Sequence, residues 1–188
     1  NVISSNELSA GEGSLIYKSM EINHQYSKSF AFEKLFRKYS AAYLDANINY
    51  FSLLRPLYEL RIAKLFSGLP RRPDLIGTPR NDGSSGSKYD SVFTSCNIGR
   101  GKFWCGRCPK CAFSYLSMFP FMSDTRLKSI FGRDLFEVPE IQRHILDLVG
   151  LGQYKPFDCV GTKEESILAA ELAIKKEKKQ KSKYKKQQ

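Results

Sequence analysis

Four cysteines stand within sixteen residues, as Cys96-x8-Cys105-x2-Cys108-x2-Cys111 in the stretch SCNIGRGKFWCGRCPKC. Two overlapping C-x2-C hooks place several thiolates around one tetrahedral ion, and Cys96 closes the set across a short loop. The expected ion is zinc, which is redox-inert and suits a four-sulfur cage with no open position. Such a cage contributes folding energy and no catalysis. Iron–sulfur clusters also take four thiolates, but their common spacings differ from this one. Gly99, Gly101 and Gly106 supply the tight backbone of a metal knuckle, and Pro109 opens a helix behind it. No signal-peptide layout precedes the cysteines, so reduced thiols in a cytoplasmic setting are expected.

The elements around the knuckle follow from patterning. Phe32, Leu35, Phe36, Tyr39 and Tyr43 recur at helical spacing and predict a long helix whose aromatic stripe packs as core against a sheet. A second helix is expected from about Pro56 to Phe66, with Leu57, Leu60 and Leu65 among its apolar positions. Residues 68–90 break periodicity with prolines and glycines and read as a surface loop; their GSSGSK has the wrong glycine–lysine spacing for a phosphate-binding loop. SVFT, residues 91–94, is a strand candidate that would deliver Cys96. VPEIQRHILDLVG predicts a helix opened by Pro139 and stopped by Gly150, with His144 as a half-buried surface residue. Thr162 and Glu165 form a capping box ahead of an alanine-rich helix that is expected to dissolve into a lysine run.

With 188 residues and 41% apolar composition the chain can bury a core. No apolar run is long enough to cross a bilayer, so no membrane partner is expected. The formal charge is +11, but +7 of it lies in residues 175–188, which hold eight lysines and one glutamate. The remaining +4 suits an anionic small substrate and does not demand nucleic acid. A zinc-knuckle nucleic-acid module with a basic tail is the alternative from a different class, and its affinity would fall steeply with salt.

Several stretches together, SSNELSA, NHQYSKSF, YFSLLRPLYELRIAKLF, SCNIGRGKFWCGRCPKCAF and KPFDCVGTKEE, resemble the bacterial UDP-N-acetyl-muramoyl-L-alanyl-L-glutamate epimerases. The cysteine spacing is also similar to that of 7-cyano-7-deazaguanine synthase. Both likenesses imply an α/β fold: a parallel nucleotide-binding sheet of the adenine-nucleotide α-hydrolase or ATP-pyrophosphatase type, with a four-cysteine zinc knuckle and a helical C-terminal part. The serine-glycine-rich pyrophosphate loop of such folds is not in this sequence. It is expected upstream of Asn1, so that residues 1–168, with the knuckle at 96–111, form the C-terminal portion of the enzyme domain and residues 169–188 a helix end with a flexible basic tail. Another ATP-pyrophosphatase-type ligase on the same fold remains an alternative.

The resemblance implies ATP, magnesium and a UDP-linked muramoyl dipeptide whose terminal L-glutamate is inverted in a peptidoglycan precursor. An ionised carboxyl makes α-proton loss prohibitive, because the dianion has nowhere to place its charge. Joining the carboxylate to AMP as a mixed anhydride removes that obstacle. A base must then take the proton from one face and an acid return one to the other. Cys159, beside Asp158 and Lys155, is one candidate shuttle, or else a small buried hydrophobe. His24 is the other, or else a loop side chain bonded locally. Gln25 lies in the same polar segment as His24, and Lys28, Arg55 and Lys155 are candidates to meet phosphates or carboxylates. Glu7 is a candidate for magnesium or ribose, and Glu59 flanks the start of the second helix beside Arg55.

Overall fold

The computed structural model describes residues 1–13, 15–69, 89–100, 103–152 and 155–185. The GSSGSK stretch and Gly101 lie outside the described residues. The chain divides into two compact units, Asn1–Ile62 and Ala63–Gln188. Among the described residues no helix is long and apolar enough to cross a membrane.

In the first unit, strand β1 (Val2–Ser4) pairs in parallel with a later strand, Tyr50–Ser52, with Ile3 opposite Phe51. Parallel neighbours need a crossover, and helix α1 (Phe30–Tyr43) supplies it. Ser29 caps α1, its hydroxyl accepting from the Phe32 amide at 3.2 Å. Between β1 and α1 lies a hairpin of β2 (Leu15–Tyr17) and β3 (Met20–Ile22), turned through Lys18 and Ser19 at φ 47° and 62°. Two positive φ values in succession match the twist of a two-residue hairpin loop. The strand after α1, Tyr50–Ser52, is β4.

The aromatic stripe of α1 is core only in part. Phe32 and Phe36 are half-buried, and the Phe36 ring packs on Tyr50 of β4 at 4.9 Å. Leu35, Tyr39 and Tyr43 are 56, 53 and 75% exposed, while the fully buried positions of α1 are Glu33 and Ser40. Glu33 is held there by its pair with Arg55. Among the described residues of this unit the buried polar ones (Ser9, Gln25, Ser29, Glu33, Ser40, Ser52) outnumber the buried apolar ones, Ala10 and Leu60.

Helix α2 (Glu59–Ser67) starts three residues later than its proline suggests. The Leu57 carbonyl accepts from Leu8 N at 2.8 Å, and the Leu57 amide donates to Leu54 O at 2.9 Å, so the segment around Pro56 is a turn outside the helical ladder.

The second unit is helical. Helix α3 (Pro109–Met118) is buried at Cys111, Ala112, Phe113, Tyr115, Leu116, Ser117 and Met118 and forms its centre, with Pro109 in the first turn where its missing N–H costs nothing. Helix α4 (Asp124–Phe131) is capped by Ser123 and ends at Gly132, whose φ of 80° is a left-handed stop. Helix α5 (Pro139–Leu148) buries Ile141 and Leu148 as expected. His144 is half-buried, 3.9 Å from Asp147. Residues 91–94 form turn and coil where a strand was expected. Phe93 instead packs between Phe66 (4.6 Å) and Trp104 (5.3 Å), and its carbonyl accepts from Trp104 Nε1 at 3.0 Å. From Trp104 the ring contacts continue through Phe131 and Tyr115 to Phe136.

Helix α6 (Lys163–Lys185) begins in the predicted capping box: Glu165 N donates to Thr162 Oγ1 at 3.1 Å, and Thr162 N donates to Glu165 Oε2 at 3.0 Å. It runs on through the lysine run to Lys185 instead of dissolving. Lysine is a good helix former, and Glu177 pairs with Lys181 one turn on at 3.3 Å. Lys176 is a structural residue: its ammonium donates to Phe119 O (3.0 Å), Met122 O (2.8 Å) and Asp124 (2.7 Å) and lies 3.9 Å from the Phe119 ring centre. The first bond satisfies the Phe119 carbonyl at the end of α3, and the other two fasten the segment that leads into α4. Lys176→Met is therefore expected to cost about 1–3 kcal/mol in chemical denaturation, whereas Lys179→Met, at an exposed position, leaves the midpoint unchanged.

Candidate metal centre and the polar loops

The four predicted thiols converge. Cys96 lies in the loop before α3, Cys108 is the residue that caps α3, and Cys111 is in the first turn of α3. Their Sγ atoms all lie within 4.8 Å of one another, with Cys96–Cys108 at 3.8 Å, Cys105–Cys111 at 3.7 Å and Cys108–Cys111 at 3.5 Å. A tetrahedron with metal–sulfur bonds of about 2.3 Å has sulfur–sulfur edges of roughly 3.8 Å. The cage thus fits a four-coordinate ion that prefers thiolates, and zinc meets that description.

Local backbone fixes this geometry. Gly106, inside the first hook between Cys105 and Cys108, takes a φ of 66°, a region that disfavours side chains. A Cβ on Gly99 would run into the Phe103 carbonyl, so that close approach needs glycine. Backbone amides of Gly99 and Cys105 point at the Cys96 sulfur from 3.3 and 3.5 Å. Hydrogen bonding between Cys108 and Cys111 holds Cys108 down at about 5 and pushes Cys111 far up, while burial raises Cys105. Cys108 is thus the readiest of the three to act as a thiolate, and a metal bound here would displace the protons that burial and hydrogen bonding favour on Cys105 and Cys111.

Of the other predicted site residues in this unit, Asp158 is tied to the knuckle. Asn97 Nδ2 donates to Asp158 Oδ1 at 3.3 Å, and Lys110 Nζ donates to Asn97 Oδ1 at 3.4 Å. Cys159 and Lys155 sit half-buried on the same loop. That loop is clamped at its far end, where a Cβ on Gly161 would strike the Phe113 ring.

In the first unit, Arg55 is the hub. Its guanidinium donates to the Glu7 carbonyl (2.8 Å), the Lys28 carbonyl (2.8 Å) and the Glu33 carboxylate (2.9 and 3.1 Å). Glu7 and Lys28 are half-buried, Gln25 is buried and His24 is exposed. Asn23 joins this segment to the loop after β1, donating to Ala10 O at 2.9 Å and accepting from Gln25 N at 2.7 Å. The Glu59 amide faces Ser9 Oγ at 3.4 Å. Sequence reasoning missed Glu33, although it stands four residues before Arg37, with which it also pairs. An acidic residue in an aromatic-rich helix with such an i,i+4 partner was the available signal.

Comparison with known proteins is decisive for the family. The model of the MurL C-terminal domain matches residues 92–187, just over half the chain, and that of the MurL N-terminal domain matches residues 1–53. The chain belongs to the MurL family. Proteins from a Micromonospora species and from Xanthomonas oryzae pv. oryzae, both named UDP-N-acetyl-alpha-D-muramoyl-L-alanyl-L-glutamate epimerase, are 40% identical over 176 and 175 residues, covering 91 and 89% of this chain. A protein of the same name from Salinispora tropica is 38% identical over 176 residues, covering 91% of this chain and 35% of its own length. The matches cover 36 and 35% of the Micromonospora and Xanthomonas proteins, so the chain spans about a third of the length of the curated relatives it matches. No solved structure matches it. Within the MurL family the cysteine cage thus falls in the C-terminal domain and the Arg55 hub lies just beyond the matched N-terminal segment.

Proposed function

We propose that this chain is part of an ATP-dependent epimerase that converts the terminal L-glutamate of UDP-N-acetylmuramoyl-L-alanyl-L-glutamate to D-glutamate in peptidoglycan precursor synthesis. The observation that carries this reading is the 40% identity, over nine-tenths of the chain, to proteins bearing that name. The parallel β1–β4 pair with its α1 crossover is compatible with a nucleotide-binding sheet of the ATP-pyrophosphatase type.

ATP with magnesium supplies carboxyl activation, the carboxylate taking up AMP with loss of pyrophosphate; water later cleaves the anhydride and returns AMP. In the first unit, Glu7 is assigned to magnesium or ribose, and Gln25, Lys28 and Glu59 to nucleotide or substrate. His24 is its proton carrier. In the second unit Cys159 carries a proton, Asp158 orients it and Lys155 offers a cation to the thiol or to phosphate. Cys96, Cys105, Cys108 and Cys111 hold a structural zinc, which supplies rigidity to the start of α3 and to the Asp158 loop that Asn97 ties to it. A cage of reduced thiols suits a reducing compartment, and this reading takes the cytoplasm as its setting.

Chiral analysis of glutamate released from the dipeptide tests this reading. The natural full-length protein is expected to generate D-glutamate only with ATP and magnesium, releasing AMP and pyrophosphate. Inversion that proceeds equally well without ATP, or AMP release with a different acceptor only, would refute it.

A further inference from the structure

We propose that Arg55 is a positioning residue, paired with the buried Glu33, that locks the two polar segments of the first unit, residues 6–8 and 24–28, into one fixed arrangement. This rests on the epimerase reading for its consequence in catalysis. The geometry itself does not. Nε and both terminal nitrogens of Arg55 are engaged within the protein: Nη1 on Glu7 O, Nη2 on Lys28 O and on Glu33, and Nε on Glu33. A guanidinium held in this way has four of its five N–H donors engaged, so it is poorly placed to act as the bidentate clamp for a phosphate or carboxylate that its type first suggests.

Glu33 is the reason the clamp holds. Its side chain is 2% exposed, and its second oxygen pairs with Arg37, so the carboxylate is buried and satisfied on both sides. A buried charge of this kind tolerates no other arrangement of its partner, which fixes the guanidinium plane. The plane in turn fixes two backbone carbonyls far apart in sequence. One belongs to Glu7, in the loop leaving β1; the other ends the turn Tyr26–Lys28 that follows His24 and Gln25. Phe30 closes the arrangement, its ring 6.0 Å from the guanidinium carbon. Arg55 reaches both loops because it stands three residues beyond Ser52, whose hydroxyl donates to the Asn6 and Ser4 carbonyls.

Amide hydrogen exchange on the natural full-length protein without ligands tests the proposal. The Leu8 amide donates to Leu57 O at 2.8 Å and the Lys28 amide to Gln25 O at 2.7 Å, so both are protected reporters of the two loops. In Arg55→Met, exchange at Leu8 and Lys28 is expected to accelerate at least about tenfold while amides in the middle of α1 keep their rates; Glu33→Gln should give a smaller change of the same pattern, and Arg55→Lys should restore part of the protection. In the epimerase assay kcat is expected to fall about 100-fold, the scale of a small misplacement of positioned groups, with KM changed far less. A residue that binds substrate would instead raise KM and leave exchange in the free protein unaltered. That outcome overturns the proposal, as does uniform acceleration through α1 in both Arg55→Lys and Glu33→Gln. If wild type shows no ATP-dependent inversion, the functional reading fails while the exchange result still decides the role of Arg55.

Discussion

Removing the zinc proposed for the cysteine cage is expected to unfold the second unit, with Trp104 as the witness. Trp104 is the only tryptophan in the sequence, next to Cys105 and in ring contact with Phe93 and Phe131. Its emission should shift to the red when a strong chelator strips the metal, and return when zinc is restored. The size of the effect follows from comparison of scales. Structural zinc contributes about 10–16 kcal/mol of apparent binding energy at neutral pH in small zinc modules, and a domain has only about 5–15 kcal/mol of stability to lose. Cys111→Ala should reproduce the chelated state, because it removes a fully buried ligand at the start of α3. The pH dependence has a definite sign. Cys105 and Cys111 hold protons above neutral pH and must release them to bind metal, so zinc uptake at pH 7 acidifies an unbuffered solution and affinity rises with pH. Cys108 is held below its ordinary value by its hydrogen bond with Cys111, so of the three shifted thiols it is the readiest to serve as a thiolate. Zinc content should fall on acidification as protons compete for the sulfurs, and a content unaffected by strong acid would argue against a thiolate cage.

The second large effect concerns Arg126. It forms a bidentate pair with Asp90, at 2.8 and 2.9 Å, and donates to Ser67 O at 2.7 Å; the two side chains are 6 and 9% exposed. Solvent therefore screens this pair little, unlike the surface pairs of α6. Arg126→Met removes the bidentate cation from the buried Asp90 carboxylate, and the expected loss is about 3–5 kcal/mol in denaturant titration. The double change Arg126→Met with Asp90→Leu should recover most of that loss, because the cost is the stranded charge and not the absence of attraction. A double variant as unstable as the single one would show that the hydrogen bond to Ser67 and the stacking on Phe66 carry the energy instead.

What could be read from the sequence divides along physical lines. The cage, the capping box at Thr162 and the stop at Gly150 depend on residues a few positions apart, and local spacing specifies them. The burial of Glu33 on α1 goes with a pair to Arg55, 22 residues on, and no local period carries that information. The same holds for 91–94, whose alternation suggests a strand but whose Phe93 is claimed by Trp104 and Phe66. Lys176 was counted as solvated tail because its acceptors lie more than fifty residues earlier. Residue type suggests Arg55 as a ligand for phosphate or carboxylate, whereas its hydrogen bonds to the Lys28 and Glu7 carbonyls, 27 and 48 residues away, leave no trace in local spacing.

The central claim is that this family member inverts an activated glutamate by exchanging its α-proton. The direct measurement is mass-spectrometric analysis of the dipeptide after incubation of the natural full-length protein with ATP and magnesium in deuterated water. The account predicts one deuterium at the glutamate α-carbon of the D-product, and none when ATP is omitted. D-product formed without deuterium, in a reaction that consumes ATP, would contradict it.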